Sequence, residues 1–173
     1  MLLRPEEPAD VDAVRALHLA AFDRPELEGS PAVEARLVDA LRDGGHLLPA
    51  MTLVAVDDDA VVGHVAASRA TVDGAPVVAL GPIGVLPAGQ RRGTGSSLVT
   101  ALLTVADRAG EPAVVLLGDP AFYGRFGFED SRVHGVLAPD PSWGVHFQLR
   151  PLTAWRRRPL HGTAHYAPPF DDL

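Results

Sequence analysis

The chain has no cysteine, which excludes disulfides, thiolate metal ligands and a cysteine nucleophile. It has no lysine either, so all 15 basic residues are arginine and the Gly-Lys-Ser/Thr of a Walker phosphate loop cannot be built. No run approaches the roughly 18 uninterrupted apolar residues of a membrane span. The start, Met1-Leu2-Leu3-Arg4-Pro5-Glu6-Glu7, lacks the basic-then-apolar order of a secretion signal. A soluble protein kept in the cytoplasm is the expectation, away from membranes. Basic charge is also in deficit: the net charge is −7, against the basic face that nucleic-acid binding requires. An acidic surface suits a cationic partner such as an amine.

What remains is a chain of 173 residues, about one domain's worth, and 47% apolar. Val11, Val14, Leu17 and Ala21 recur at helical spacing behind Asp10, which is placed to cap a first helix. Pro31 opens a second, with Val33, Leu37, Val38 and Leu41 on one face and Gly44-Gly45 at its end. Met51 to Val56, Val61 to Thr71 and Val77 to Val85 read as three strands of an antiparallel meander, the first two joined by Asp57-Asp58-Asp59. From Gly93 to Gly110 the period is helical again, with Leu98, Leu102, Val105 and Ala109 as its buried stripe. Ala113 to Leu117 is a continuous apolar run, the mark of a strand covered on both faces. A strand, crossover helix and second strand form a right-handed parallel unit, so the strands ending at Val85 and Leu117 should lie side by side. Val145 to Leu149 alternates as a half-buried strand, and Gly162 to Tyr166 adds another. The fold class expected is α/β, a mixed sheet with flanking helices.

Gln90-Arg91-Arg92-Gly93-Thr94-Gly95-Ser96 opens the crossover helix. Its glycines let backbone N–H groups turn inward, and the helix start adds about half a positive charge, which suits a phosphate. Arg91 and Arg92 supply charge-assisted hydrogen bonds to a diphosphate. The alternative is a Gly-rich turn that only starts a helix. A dinucleotide fingerprint fits poorly, because Leu98 takes the third glycine position and Leu86 to Arg92 separate the loop from its strand. In Leu80-Gly81-Pro82-Ile83-Gly84-Val85, Pro82 cannot donate to a ladder. Either a bulge or splay parts this strand from its parallel neighbour, or the strand begins at Ile83.

At the exit of the buried strand, Asp119 suits an N-cap, Pro120 the first helical position, and Gly127-Phe128 a C-terminal stop. Tyr123 lies about one turn into this short helix, near the mouth of the crevice. It is either a functional hydroxyl or one more packing aromatic beside Phe122, Phe126 and Phe128.

The run Val85 to Gly95, then a helix and an apolar strand, then Tyr123-Gly124-Arg125-Phe126-Gly127-Phe128, resembles the GNAT N-acetyltransferase superfamily. Leu117-Gly118-Asp119-Pro120 resembles more narrowly a group of predicted bacterial N-acetyltransferases of YhbS-like type. The resemblance implies a GNAT fold with a splayed central parallel pair, in a domain over 1–150 with 151–173 as an extension packed on it. It implies acetyl-CoA in the splay, with Ile83, Gly84 and Val85 along the pantetheine arm. Gln90, Arg91, Arg92, Gly93, Thr94, Gly95 and Ser96 would hold the diphosphate. Tyr123 would be the general acid that protonates the departing thiolate. Asp119 falls near the cofactor, where many members carry asparagine; a helix cap is the role its own chemistry supports.

The fourth-strand glutamate that some members use as base has no counterpart, since Leu80, Gly81 and Pro82 occupy that region. Glu28, Glu34 and His64 are candidates, although helix glutamates are ordinary and a lone strand histidine is usually structural. A water chain could remove the proton instead. His161 and His165 have the spacing of a helical metal pair, but in a strand they lie roughly 13 Å apart, so no metal is expected. Arg156-Arg157-Arg158 reads as solvated charge. The expected activity is acetyl transfer to a primary amine on a small molecule or protein terminus, by a monomer or homodimer. The alternative is a non-catalytic acyl-CoA sensor.

Overall fold

A computed structural model describes residues 1–23 and 32–172. The strands, in chain order, are β1 (Leu2–Pro5), β2 (Leu53–Asp57), β3 (Ala60–Val72), β4 (Ala75–Val85), β5 (Ala113–Leu117), β6 (Glu129–Asp130), β7 (Val136–Leu137), β8 (Phe147–Pro151) and β9 (Gly162–His165). The helices are α1 (Val11–Ala21), α2 (Val33–Asp43), α3 (Thr94–Arg108) and α4 (Pro120–Tyr123). The sheet runs β1-β2-β3-β4-β5-β8-β6, antiparallel except where β4 meets β5. β9 pairs with the far end of β3 at Thr71 and Val72, which seats the C-terminal segment on the same sheet. The mixed α/β architecture and the parallel pair are those expected from the sequence. Among the described residues, no helix is long and apolar enough to cross a membrane.

Strand alternation sorts the core into two faces. Leu53, Ala55, Val65, Ala67, Val78, Leu80, Val114 and Leu116 face α3, which buries Leu98, Val99, Leu102 and Ala106 against them. Each such leucine, fully buried, contributes about 1.5–3 kcal/mol. On the opposite face, Val54 and Ala66 meet Val14 of α1 and Val38 of α2. Gly63 lets the start of α3 sit close on β3, since a Cβ there would lie 2.9 Å from Thr94 Cγ2 and 3.0 Å from Leu98 Cδ1.

Several expectations need correction. Asp10 does not cap α1; its carboxylate takes Arg4 at 2.6 and 2.9 Å and the Glu7 N–H at 2.8 Å, closing the turn that precedes the helix. Val33 is exposed because it begins α2, and Ala35 is buried in its place. Pro31 lies outside the described residues. Ala109 faces solvent beyond the last turn of α3, where Ala106 completes the buried stripe. The strand expected at Val145 begins at Phe147, and Phe147, Gln148 and Leu149 are all buried, the Gln148 amide satisfied by donating to Gly118 O at 3.1 Å.

Candidate active site

β4 and β5 pair only at Val78–Val114 and Ala79–Val115, after which they part. β4 nevertheless continues to Val85 on β3, so the strand does not begin at Ile83. Its register against β3 slips by one residue at Gly81-Pro82, where Ala66 of β3 stands opposite both of these β4 residues. Gly81 has φ +137°, a conformation that only glycine adopts freely. Leu86 N–H donates to Val62 O at 3.0 Å, and antiparallel bonding alternates, so the polar backbone of Gly84 turns toward β3. The N–H and C=O of Ile83 and Val85 therefore face the splay. Val85 O there accepts from Gln90 Nε2 at 3.1 Å.

A cavity of about 620 Å³ opens beside this unpaired stretch. Of the site residues expected from the sequence, Ile83, Gly84, Val85, Gln90, Arg91, Gly93, Gly95 and Ser96 line it together. Arg91 (φ +60°) and Gly93 (φ +89°) both adopt left-handed backbone, which turns the loop tightly into the start of α3. The N–H groups of that first turn have no acceptor within the helix, which suits them to an anion. A Cβ on Gly95 would stand in the cavity, 3.8 to 4.0 Å from Val85, Phe122 and Ile83, so the bare glycine leaves room for a ligand.

Arg92, Thr94 and Asp119 are not among the lining residues. Thr94 turns its side chain inward onto Gly63. Asp119 caps α4, accepting the Ala121 N–H at 2.9 Å. Sequence reasoning missed Ala21, Phe22, Gly89, Phe122 and Arg125 in the wall. The Arg125 guanidinium lies 4.6 Å over the Phe122 ring, and the spacing Phe122-x-x-Arg125 on a helical turn was the available signal. A second groove of about 1010 Å³ runs along the outer side of α3 and shares Arg125 with the first.

Tyr123 sits at the end of β5 with its ring over Gly118, where a Cβ would fall only 2.4 Å from Tyr123 Cε2. Phe122 and Phe128 hold it at 4.8 and 5.8 Å between ring centres. Tyr123 is not itself a lining residue of the cavity. Burial pushes its phenol up to about 12, so it keeps its proton throughout the neutral range.

Of the three candidate bases, Glu28 lies outside the described residues. Glu34 stands in the first turn of α2 and is not a cavity-lining residue. His64 is not a lone histidine. Fully buried on β3, it meets Glu6 Oε2 through Nε2 at 3.0 Å and His18 Nε2 through Nδ1 at 2.8 Å. Glu6 in turn accepts from Arg42 at 2.6 Å. Burial works to raise the Glu6 carboxyl, but hydrogen bonds from His64 and Arg42 outweigh it and hold the group below its usual range. Burial lowers His64, against the pull of Glu6. Burial first, then repulsion from His64, depresses His18 to about 3.

That depression has a consequence for stability. Unfolded His18 binds a proton below about 6.5 while the folded residue stays neutral, so the unfolded state gains protons and stability falls as pH drops from there toward 3. Unfolding free energies from urea titrations between pH 6.5 and 4.5 are expected to fall more steeply for the parent than for His18→Gln, by up to about 1.4 kcal/mol per pH unit. Equal slopes would count against it.

A parallel pair that splays at its C-terminal ends, beside a helix start with unpaired backbone N–H groups, is the framework of an acyl-thioester-dependent transferase. The chain belongs to the GNAT acetyltransferase family: residues 3–130 match the acetyltransferase (GNAT) domain. It is 34% identical to the N-acetyltransferase YhbS of Escherichia coli K12 over 174 residues, 99% of each chain. It is 32% identical to the N-acetyltransferase YjhQ of the same strain over 140 residues, 76% of each. The crystal structure of YhbS from Escherichia coli in complex with CoA superposes with a TM-score of 0.87, covering 98% of this chain and 91% of that one. A GNAT acetyltransferase from Brucella melitensis in complex with acetyl-CoA, 33% identical, gives 0.77 over 98% and 97%.

Proposed function

We propose that this chain transfers an acetyl group from acetyl-CoA to a primary amine by direct attack in a ternary complex. The observation that carries the reading is the unpaired backbone of Ile83 and Val85 facing a cavity whose other side is the start of α3. The extended pantetheine arm would pair with those two residues, displacing the Gln90 amide from Val85 O. Gly93, Thr94, Gly95 and Ser96 would present backbone N–H groups to the diphosphate, and Arg91 and Arg92 would neutralise it. The relatives crystallised with CoA and acetyl-CoA support the same ligand here.

The amine nitrogen attacks the thioester carbonyl, the C–N bond forms and the C–S bond breaks. Tyr123 gives its phenolic proton to the departing sulfur, the nitrogen sheds its proton to water, and the tyrosinate regains one from solvent. Residues 1–150 carry this activity, and 151–173 form an extension on the same unit through β9. Asp119 serves by fixing α4, and with it Tyr123, at the end of β5.

The test is incubation with acetyl-CoA and a panel of primary amines, following free CoA thiol, together with the melting temperature in CoA. A raised melting temperature and thiol release dependent on one amine class are expected. A melting temperature indifferent to both CoA and acetyl-CoA would remove the reading. Binding without release in any arm would leave an acyl-CoA sensor instead.

A further inference from the structure

Position 118 is glycine because of what stands over it. Gly118 does not have a positive φ, so the backbone there does not itself call for glycine. A Cβ on it would fall 2.4 Å from Tyr123 Cε2, 2.8 Å from Cδ2 and 3.4 Å from Leu116 Cδ1. Non-bonded carbons rest about 3.5–4.0 Å apart, so any side chain at 118 would drive the tyrosine ring back by roughly 1 Å. On its other sides the ring meets Phe122 and Phe128 edge-on, at 84° and 75° between planes, and Phe128 is itself buried. Tyr123 therefore stands on the bare Cα of Gly118, at the end of β5, where that strand has already left β4.

The peptide under the ring is held from β8. Gln148 opposes Leu116 in the β5–β8 pairing, so the two side chains share the face that α3 covers. From there Gln148 Nε2 donates to Gly118 O at 3.1 Å. His146 Nδ1 donates to the same oxygen at 3.2 Å, and the Gly118 N–H donates to His146 O at 2.9 Å. Both polar groups of Gly118 are thus engaged. Gln148 is 1% exposed, and a buried amide keeps its partner because leaving it unpaired costs the full desolvation of the group. The next residue, Asp119, caps the helix that carries Tyr123.

Resting on the acetyl-transfer reading and on Tyr123 as its acid, we infer that Gly118 and Gln148 are positioning residues for the Tyr123 hydroxyl. Gly118 is the seat of the ring, and the Gln148 amide fixes the peptide that forms the seat. A general acid must stand about 2.6–3.2 Å from the atom it protonates, so a retreat of roughly 1 Å takes the phenol out of reach of the departing sulfur. Neither residue touches the reacting atoms; both act through Tyr123.

The test sets Gly118→Ala in two backgrounds, the parent and Tyr123→Phe, following thiol release from acetyl-CoA with an accepted amine. In the parent, Gly118→Ala should lower kcat about a hundredfold, with KM for acetyl-CoA and CoA affinity by calorimetry unchanged. In the Tyr123→Phe background the same alanine should cost no further turnover, since the hydroxyl is already gone. The phenylalanine ring still meets the added Cβ, so the melting temperature should drop in both backgrounds. A merely structural Gly118 would lower turnover in both as well. Gln148→Leu removes the donor to Gly118 O while keeping the site filled, and should show a smaller loss of kcat, again absent beside Tyr123→Phe. If Gly118→Ala fails to fold, Gln148→Leu decides. Parental turnover in a folded Gly118→Ala, or equal losses in the two backgrounds, would overturn the seat alone. Parental turnover in Tyr123→Phe would remove acid and seat together while leaving acetyl transfer in place. Absence of CoA binding to the parent would instead take down the acetyl-transfer reading and the seat with it.

Discussion

Replacing Tyr123 with phenylalanine is expected to lower turnover about a hundredfold to ten-thousandfold while leaving fold and CoA affinity in place. The ring is retained, and the ring makes the contacts with Phe122, Phe128 and Gly118 that hold α4 against the end of β5. Only the hydroxyl is lost. Two considerations favour the lower end of the range. Alkyl thiolates leave fairly readily without help, and a phenol that burial holds at about 12 is a reluctant donor. The measurement is thiol release from acetyl-CoA with an accepted amine, beside calorimetry of CoA binding. A phenylalanine variant that turns over at the parent rate would make Tyr123 a packing residue.

The second large effect is expected at the phosphate loop. Charge-assisted hydrogen bonds contribute about 1.5–3 kcal/mol each. Because both arginines are exposed, the lower figure applies, and the joint Arg91→Ala, Arg92→Ala variant should bind CoA about a hundredfold more weakly at low salt. Arg91 lines the cavity and Arg92 does not, so Arg91→Ala alone should weaken binding more than Arg92→Ala alone. Arg91→Gly separates charge from backbone, since glycine accepts the φ of +60° without strain and still lacks the guanidinium. It should bind as poorly as the alanine variant. Undiminished affinity in the double variant would remove the loop from the diphosphate.

Both effects lie in a stretch of chain where neighbours in sequence are neighbours in space. The β4–α3–β5 unit, the left-handed glycine ahead of α3, the Asp119 cap and the short helix carrying Tyr123 were legible because each is decided within a few residues by period, turn chemistry or capping. The burial of β5 on both faces was legible for the same reason, as an unbroken apolar run. The errors came where the local signal is ambiguous. Val33 and Ala109 continue a helical stripe in sequence, but they sit at helix ends that overhang the core, and periodicity does not say where a core stops. Phe147 to Leu149 alternates in polarity, yet Gln148 is buried with its neighbours, its amide donating to Gly118 O, a partner 30 residues away.

By itself, then, the sequence determined the parallel pair, the glycine-led start of α3 and the short helix that carries Tyr123 at the end of β5, since short-range stereochemistry and hydrophobic period suffice for these. The tertiary structure alone decided what faces them. Ala21 and Phe22 close the cavity from α1, and His18 meets His64 across 46 residues of chain while Glu6 meets it across 58. No local pattern ties together groups so far apart in sequence; they are joined only because α1 packs on the face of the sheet that β3 turns toward it, where Gly84 has no side chain to hold them off.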